Sequence, residues 1–323
     1  MARAGGSGRD KSVVATALAG ALLVALGGGC GADPGGEQRA PIGALGPVGS
    51  EQAVAATDVA TTVPIPDFLQ HVFDPADFSD PTTIDNPYYP LPPGRQFVLA
   101  GEANRGEGEL RHRLVITVTD LTKVIDGVRT VVVWERDINQ GTQVETELAF
   151  FAQDDDGNVW NLGEYPEEYE ERTFVGAPST WIAGGPGSVG GVHVSLHPEA
   201  GSPAYLEGKV DDIEFFDLAQ VQKTDQHVCI PLSCYDGVVV VDEWDPLAQP
   251  HDGHQLKHYA PGVGLVTVTP LGGDEQETLE LESTSQLSAV ELADVRTAAL
   301  KLDERAYQFA SAVYGATAPA GQD

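Results

Sequence analysis

Three cysteines, eight histidines and an excess of carboxylates are the side chains in this 323-residue chain that could do chemistry. Cys229 and Cys234 bracket Ile-Pro-Leu-Ser. That gap lets two cysteines face each other across a tight hairpin, and in an oxidising compartment such a pair is expected as a disulfide. A zinc site would need two more ligands, and redox pairs use Cys-x-x-Cys. His193 and His197 flank Val-Ser-Leu. On a strand they share a face but lie ~13 Å apart at ~3.3 Å per residue, too far for one metal. The alternation of Val192, Val194 and Leu196 favours a strand, so a surface or packed histidine pair is expected. His251-Asp-Gly-His254, followed by His258, is denser. A loop could converge His251, Asp252 and His254 on zinc or copper, although a polar turn needs the same residue types. Asp154, Asp156 and Asn158 are spaced like the start of a calcium loop. Gly157 comes one place early, however, and the twelfth position is Tyr165 rather than Glu. Asp-Gly at a hairpin tip accounts for the segment without a metal. The metal candidates are therefore Asp154, Asp156, Asn158, His251 and His254; no cofactor is expected, with calcium as the alternative.

Covalent and nucleotide chemistry find less. Gly185-Pro-Gly-Ser-Val-Gly190 matches a dinucleotide-binding glycine pattern, but a β-like run follows where a helix is required. Ser188 approaches the Gly-x-Ser-x-Gly nucleophile elbow, with Pro186 in the first glycine position. Glu164, Glu167, Glu168, Glu170 and Glu171 could supply an acid–base pair. In so acidic a chain such pairs arise by chance, and the Tyr165–Tyr169 segment reads as a solvated loop. No catalytic residue is assigned.

The elements that would position these residues have period two from residue 96 to 282. Leu114, Ile116 and Val118 share a face, and residues 128–136 follow an Asp126-Gly127 turn. Residues 144–151 and 159–160 continue the pattern, followed by 191–196, 213–221, 235–243, 254–259, 263–269 and 276–282. Short strands with Gly and Asp-Gly turns predict a mainly β fold. The expected form is a single antiparallel, strongly curved meander sheet or partly open barrel. Ser288-Ala-Val-Glu291 then fits a capping box. Leu292, Val295, Ala299, Leu302, Ala306, Phe309 and Val313 form one apolar stripe, predicting a C-terminal amphipathic helix. It could pack on the sheet or seat a partner. Residues 64–95 place aromatics between prolines, which suits an extended segment that wraps the domain and buries its rings.

Composition sets the outer bounds. With 18 Lys+Arg against 49 Asp+Glu the net charge is −31. No basic footprint for nucleic acid exists. A basic head (Arg3, Arg9, Lys11) precedes an apolar run to Leu26, then Gly27-Gly28-Gly29-Cys30. The run is shorter than the ~20 residues of a membrane span and has the layout of an export signal. Its end resembles the lipobox of bacterial lipoproteins, in which the cysteine is acylated with fatty acids such as palmitate. Leu26 sits four places before Cys30 rather than three.

From residue 84 the chain resembles a family of uncharacterised bacterial secreted proteins and lipoproteins. The hallmarks are Ile84-Asp-Asn-Pro-Tyr-Tyr-Pro-Leu-Pro-Pro-Gly94, Val118-Thr-Asp-Leu-Thr-Lys-Val-Ile-Asp-Gly-Val128, Ala152-Gln-Asp-Asp-Asp-Gly-Asn-Val-Trp160, Asp242-Glu-Trp-Asp-Pro246 and Tyr259-Ala-Pro-Gly-Val-Gly-Leu-Val266. The family has no established activity, so the resemblance implies location rather than chemistry. The expected organisation is a signal peptide over 1–29, a stalk over 30–66 anchored through Cys30, a β domain over 67–285, a helix over 286–314 and a disordered tail over 315–323. The expected protein is exported and lipid-anchored to the outer membrane or to the outer face of the cytoplasmic membrane. A non-enzymatic binding or scaffold module is expected, with an apolar small molecule or a protein as its candidate partner besides the membrane. The alternatives are an extracellular hydrolase with a loop-borne site and a calcium-stabilised adhesion module.

Overall fold

The computed structural model describes residues 73–104, 108–248, 253–274 and 276–322. Cys30, His251, the signal segment and the stalk lie outside the described residues. Antiparallel pairing runs through β1 (Arg95–Asn104), β2 (Glu109–Ile125), β3 (Val128–Asn139), β4 (Thr142–Gln153) and β5 (Val159–Glu170). Short β6 (Thr173–Gly176) and β7 (Trp181–Ile182) fold back on β5. The ring resumes with β8 (Ser188–Val194), β9 (Tyr205–Val210), β10 (Phe215–Cys229), β11 (Cys234–Trp244), β12 (His254–Ala260), β13 (Gly264–Leu271) and β14 (Gln276–Gln286). β14 pairs with β1, and β4 pairs with β5, so twelve of the strands close on themselves. The sheet is thus a complete up-and-down barrel, not the open or partly open one expected. Closure pairs the edges that a curved meander would leave to other chains.

Alternation assigns the faces. Leu114 on β2 pairs with Leu99 and Asp137, and Ile116 pairs with Phe97 and Glu135. These residues point inward, as do Leu279, Leu281, Val268, Val239 and Val241, all buried. Each such aliphatic side chain removed from water contributes roughly 1.5–3 kcal/mol. Outward positions carry charge: Glu102 on β1, Arg111 and Arg113 on β2 and Glu282 on β14 are exposed. No helix among the described residues is long and apolar enough to cross a membrane. Asp126-Gly127 makes the expected turn, with φ of 47° and 83°. β5 corrects the sequence reading at Tyr165–Tyr169. The segment is a strand with Tyr165 and Glu167 fully buried, because a helix and β7 cover it.

One barrel end is plugged by residues 84–94. Asn86 Nδ2 donates to Gly157 O (2.8 Å), the Gly262 N–H to Pro87 O (2.7 Å) and the Gly94 N–H to Val118 O (2.9 Å). Tyr89 enters the barrel, its ring 4.6 Å from His193, 5.4 Å from Phe151 and 6.1 Å from Tyr259. The expectation of a wrapping segment that buries its rings holds for Phe78 and Tyr89.

The C-terminal helix α1 (Ala289–Phe309) starts at the capping box of Ser288 and Glu291 and docks on the outside of β2 and β4. Ala299, Leu302 and Ala306 are buried against the barrel, but Phe309 and Val313 are exposed. The helix stops at Ala310, and α2 (Ser311–Tyr314) turns Tyr314 inward instead. Residues 315–322 do not trail away as a disordered tail. The Ala320 N–H donates to Asp303 Oδ2, and Gly321 exchanges two backbone hydrogen bonds with Thr122.

Candidate functional site

Carboxylates occupy inward positions where the alternation calls for apolar side chains. On β3, Val131 and Val133 are followed in phase by Glu135 and Asp137, which pair with Glu147 and Glu145 of β4. After a register shift β5 contributes Glu164. Glu207 on β9, Asp217 on β10 and Glu243 on β11 continue the ring, and β12 adds Lys257. All are buried.

Their partners are few. Lys257 Nζ pairs with Glu243, and the Tyr259 hydroxyl donates to Glu243 Oε1 at 3.4 Å. Glu164 accepts from Asn161 Nδ2 (2.6 Å) and from the Trp181 indole (3.0 Å). His193 Nδ1 lies 3.2 Å from Glu207 Oε1, yet that oxygen accepts no hydrogen bond among the described residues. Neither oxygen of Glu147 has a partner among them. Toward the end opposite the plug, His112 bridges Asn139 Oδ1 (2.7 Å) and Glu277 Oε1 (3.1 Å).

Burial dominates the electrostatics, because a carboxylate loses its hydration there and its neighbours are mostly of like sign. Desolvation pushes Glu135 up to about 7 and Glu164 up to about 8. It holds Glu147, Glu207 and Asp217 well above the ordinary carboxylate range, with neighbouring carboxylates adding to the rise. Glu243 is raised by burial and lowered by Lys257. Lys257 is raised above an ordinary lysine: burial opposes its charge, but Glu243, Glu207 and Asp217 outweigh it. Burial drives His193 well below its usual value, so its imidazole is neutral. Chemically, the interior can hold protons or a cation. Raised carboxyl pKa values also mark general acids, but these groups are buried, away from any surface substrate.

The residues singled out in the sequence lie elsewhere. Cys229 and Cys234 are disulfide-bonded across the β10–β11 hairpin, as expected. Asp154 accepts from Asn158 N (2.7 Å), Asn158 Nδ2 (2.9 Å) and Trp160 Nε1 (2.8 Å). Asn158 Oδ1 accepts from Ser195 and Leu196, and Asp156 is exposed. These side chains fasten the β4–β5 turn. His254 stacks on Trp244 and pairs with Asp242 (2.9 Å). His193 is inside the barrel while His197 is exposed. Ser188 Oγ donates to Ile182 O, which makes it a turn fastener. The interior ring was missed because carboxylates are so common in this chain. The available signal was their phase, in step with flanking buried valines.

No protein-family model and no curated protein matches the chain. Solved structures give partial likenesses. A Bacteroides fragilis protein inferred to be exported, with a YmcC-like fold, is 14% identical with a TM-score of 0.37, covering 61% of this chain and 98% of that one. A Parabacteroides distasonis protein inferred to be a lipoprotein is 14% identical with a TM-score of 0.30, over 61% and 98%. A β-barrel-like protein of a domain of unknown function from Brucella abortus is 11% identical with a TM-score of 0.33, over 60% and 98%. All three likenesses cover about three fifths of this chain and nearly the whole of the other.

Proposed function

We propose that this chain is an exported envelope protein, lipid-anchored through Cys30, whose barrel is a non-enzymatic scaffold that binds partners through its outer surface. It would belong with the bacterial secreted proteins and lipoproteins whose motifs it resembles. The observation that carries the reading is how side chains fill the described inner face. Tyr89 spans to Phe151, His193 and Tyr259, Trp181 packs on Phe215 at 5.5 Å, and Lys257 reaches Glu243. Between Tyr89, Leu91, Phe97, Leu99, Ile116 and Leu265 only about 10 Å³ remains, no more than one water would need. An apolar ligand of ordinary size, which occupies ~300 Å³ or more, does not fit there. An open groove of about 840 Å³ runs outside along β1, β2 and β14, lined by Glu102, Arg111, Arg113 and Glu282 among others. Those charges suit a polar or protein partner.

The test is palmitate labelling and membrane fractionation in the native host, with native mass spectrometry of the gently released protein. Wild type should take up label and pellet with membranes, and Cys30→Ala should do neither. Beyond the acyl groups on Cys30, the released protein should carry no lipid or organic adduct. Unlabelled, freely soluble wild type overturns the anchor, and a retained apolar adduct overturns the scaffold reading.

A further inference from the structure

We propose that Glu207, Asp217 and Glu243 hold a hard divalent cation, of the calcium, magnesium or manganese class, inside the barrel. This site is distinct from the Asp154 turn and does not depend on what the outer surface binds.

Three adjacent strands, β9, β10 and β11, each contribute one carboxylate, and one oxygen from each lies within 4.8 Å of the others. Oxygens around an ion at ~2.0–2.6 Å are separated by no more than about twice that distance, so the spread fits one coordination shell. Glu207 supplies the second observation. It is 4% exposed, and its Oε1 accepts no hydrogen bond among the described residues although His193 Nδ1 is only 3.2 Å away. A buried carboxylate oxygen without a donor is costly to maintain unless a positive partner meets it. Lys257 pairs with Glu243 and neutralises one of the three charges. Two negative charges remain, the count that one divalent ion balances. All-oxygen donors select hard cations over zinc or copper. On binding, the ion would displace any proton held on these carboxyl groups, and each such proton would leave to solvent.

The experiment uses the full chain purified without chelator. Metal content is measured by elemental mass spectrometry, and melting is followed with EDTA, Ca²⁺, Mg²⁺ or Mn²⁺. About one ion per chain is expected, and it should be lost from Asp217→Asn but kept in Asp156→Asn. Adding back the ion at about a hundredfold excess over Kd should raise the melting temperature of stripped protein by roughly 5–10 °C. Stripped protein indifferent to all three ions, with no metal in the purified chain, overturns the proposal and leaves protons and Lys257 to neutralise the triad. An ion that survives Asp217→Asn but leaves with Asp156→Asn overturns it in favour of the β4–β5 turn. Indifferent, metal-free wild type overturns the proposal on its own, and Glu207→Gln makes the same comparison should Asp217→Asn fail to fold.

Discussion

Glu164 receives hydrogen bonds from Asn161 and Trp181, both of which favour its charged form, yet burial still lifts it to about 8. The folded protein therefore keeps a proton there that the unfolded chain releases above pH ~4.5. Such a proton stabilises the fold fully below the unfolded pKa, and the benefit is lost as pH rises through the folded one. Glu147, Glu207 and Asp217 are raised by the same cause and act in the same direction. His193, neutral in the fold, opposes them only below pH ~6.5. Metal-free protein should therefore lose stability from pH 6.5 to 8, by up to about 1.4 kcal/mol per pH unit for each proton retained. Urea titrations across this window measure the slope, and Glu164→Gln should make it shallower by about one proton. A midpoint that rises with pH in wild type would refute the assignment of neutral carboxyls. The sequence made Glu164 look like one acid in a solvated run. Only the pairing of β5 on both sides, a long-range fact, reveals that it points inward.

At the level of elements, the C-terminal helix is held by a buried ion pair as well as by its apolar stripe. Lys123 Nζ, fully buried, donates to Asp303 Oδ1 (3.0 Å), the Tyr307 hydroxyl (2.9 Å) and Ala318 O (2.7 Å), with the Tyr314 ring 4.2 Å below. Asp303 also accepts from the Tyr314 hydroxyl at 2.8 Å and from the Ala320 N–H. Removing one partner strands the other in a dry interface, so Asp303→Ala should cost about 3–5 kcal/mol. Ser288→Ala, which removes only the cap, should cost about 1 kcal/mol. Equilibrium urea unfolding compares the two, and equal losses would show that the ion pair contributes little. The helix itself was legible from its capping box and from Ala299, Leu302 and Ala306. Its end was not, because Phe309 and Val313 continue the period while Tyr314 is drawn to Asp303. The pinning of residues 315–322 was equally hidden, since it depends on Thr122 nearly 200 positions away.

At the scale of the molecule, the described strands form a closed ring in a chain whose net charge is −31. Ring closure depends on close approach as well as pairing. At Gly101 of β1 a Cβ would lie 1.8 Å from Thr278 O on β14, so no larger residue fits the seam. Self-repulsion of so many carboxylates opposes compactness and is screened by salt over a Debye length that shrinks from ~10 Å at 0.1 M to ~3 Å at 1 M. The melting temperature should therefore climb as NaCl is raised through that range, and a flat or falling curve in thermal melts would contradict a repulsion-limited fold. Most strands were readable from alternation and turns. Closure was not, because it rests on β1 meeting β14 and on β9, a short strand that the pattern did not single out. The chain enters and leaves the ring at one rim, where Arg95 pairs with Gln286 and the 84–94 plug sits. Anchorage through Cys30, as proposed, would hold the barrel by that plugged rim and turn the opposite rim, with the Gln140-Gly141 and Glu171-Arg172 turns and His112 just inside, toward whatever approaches from outside.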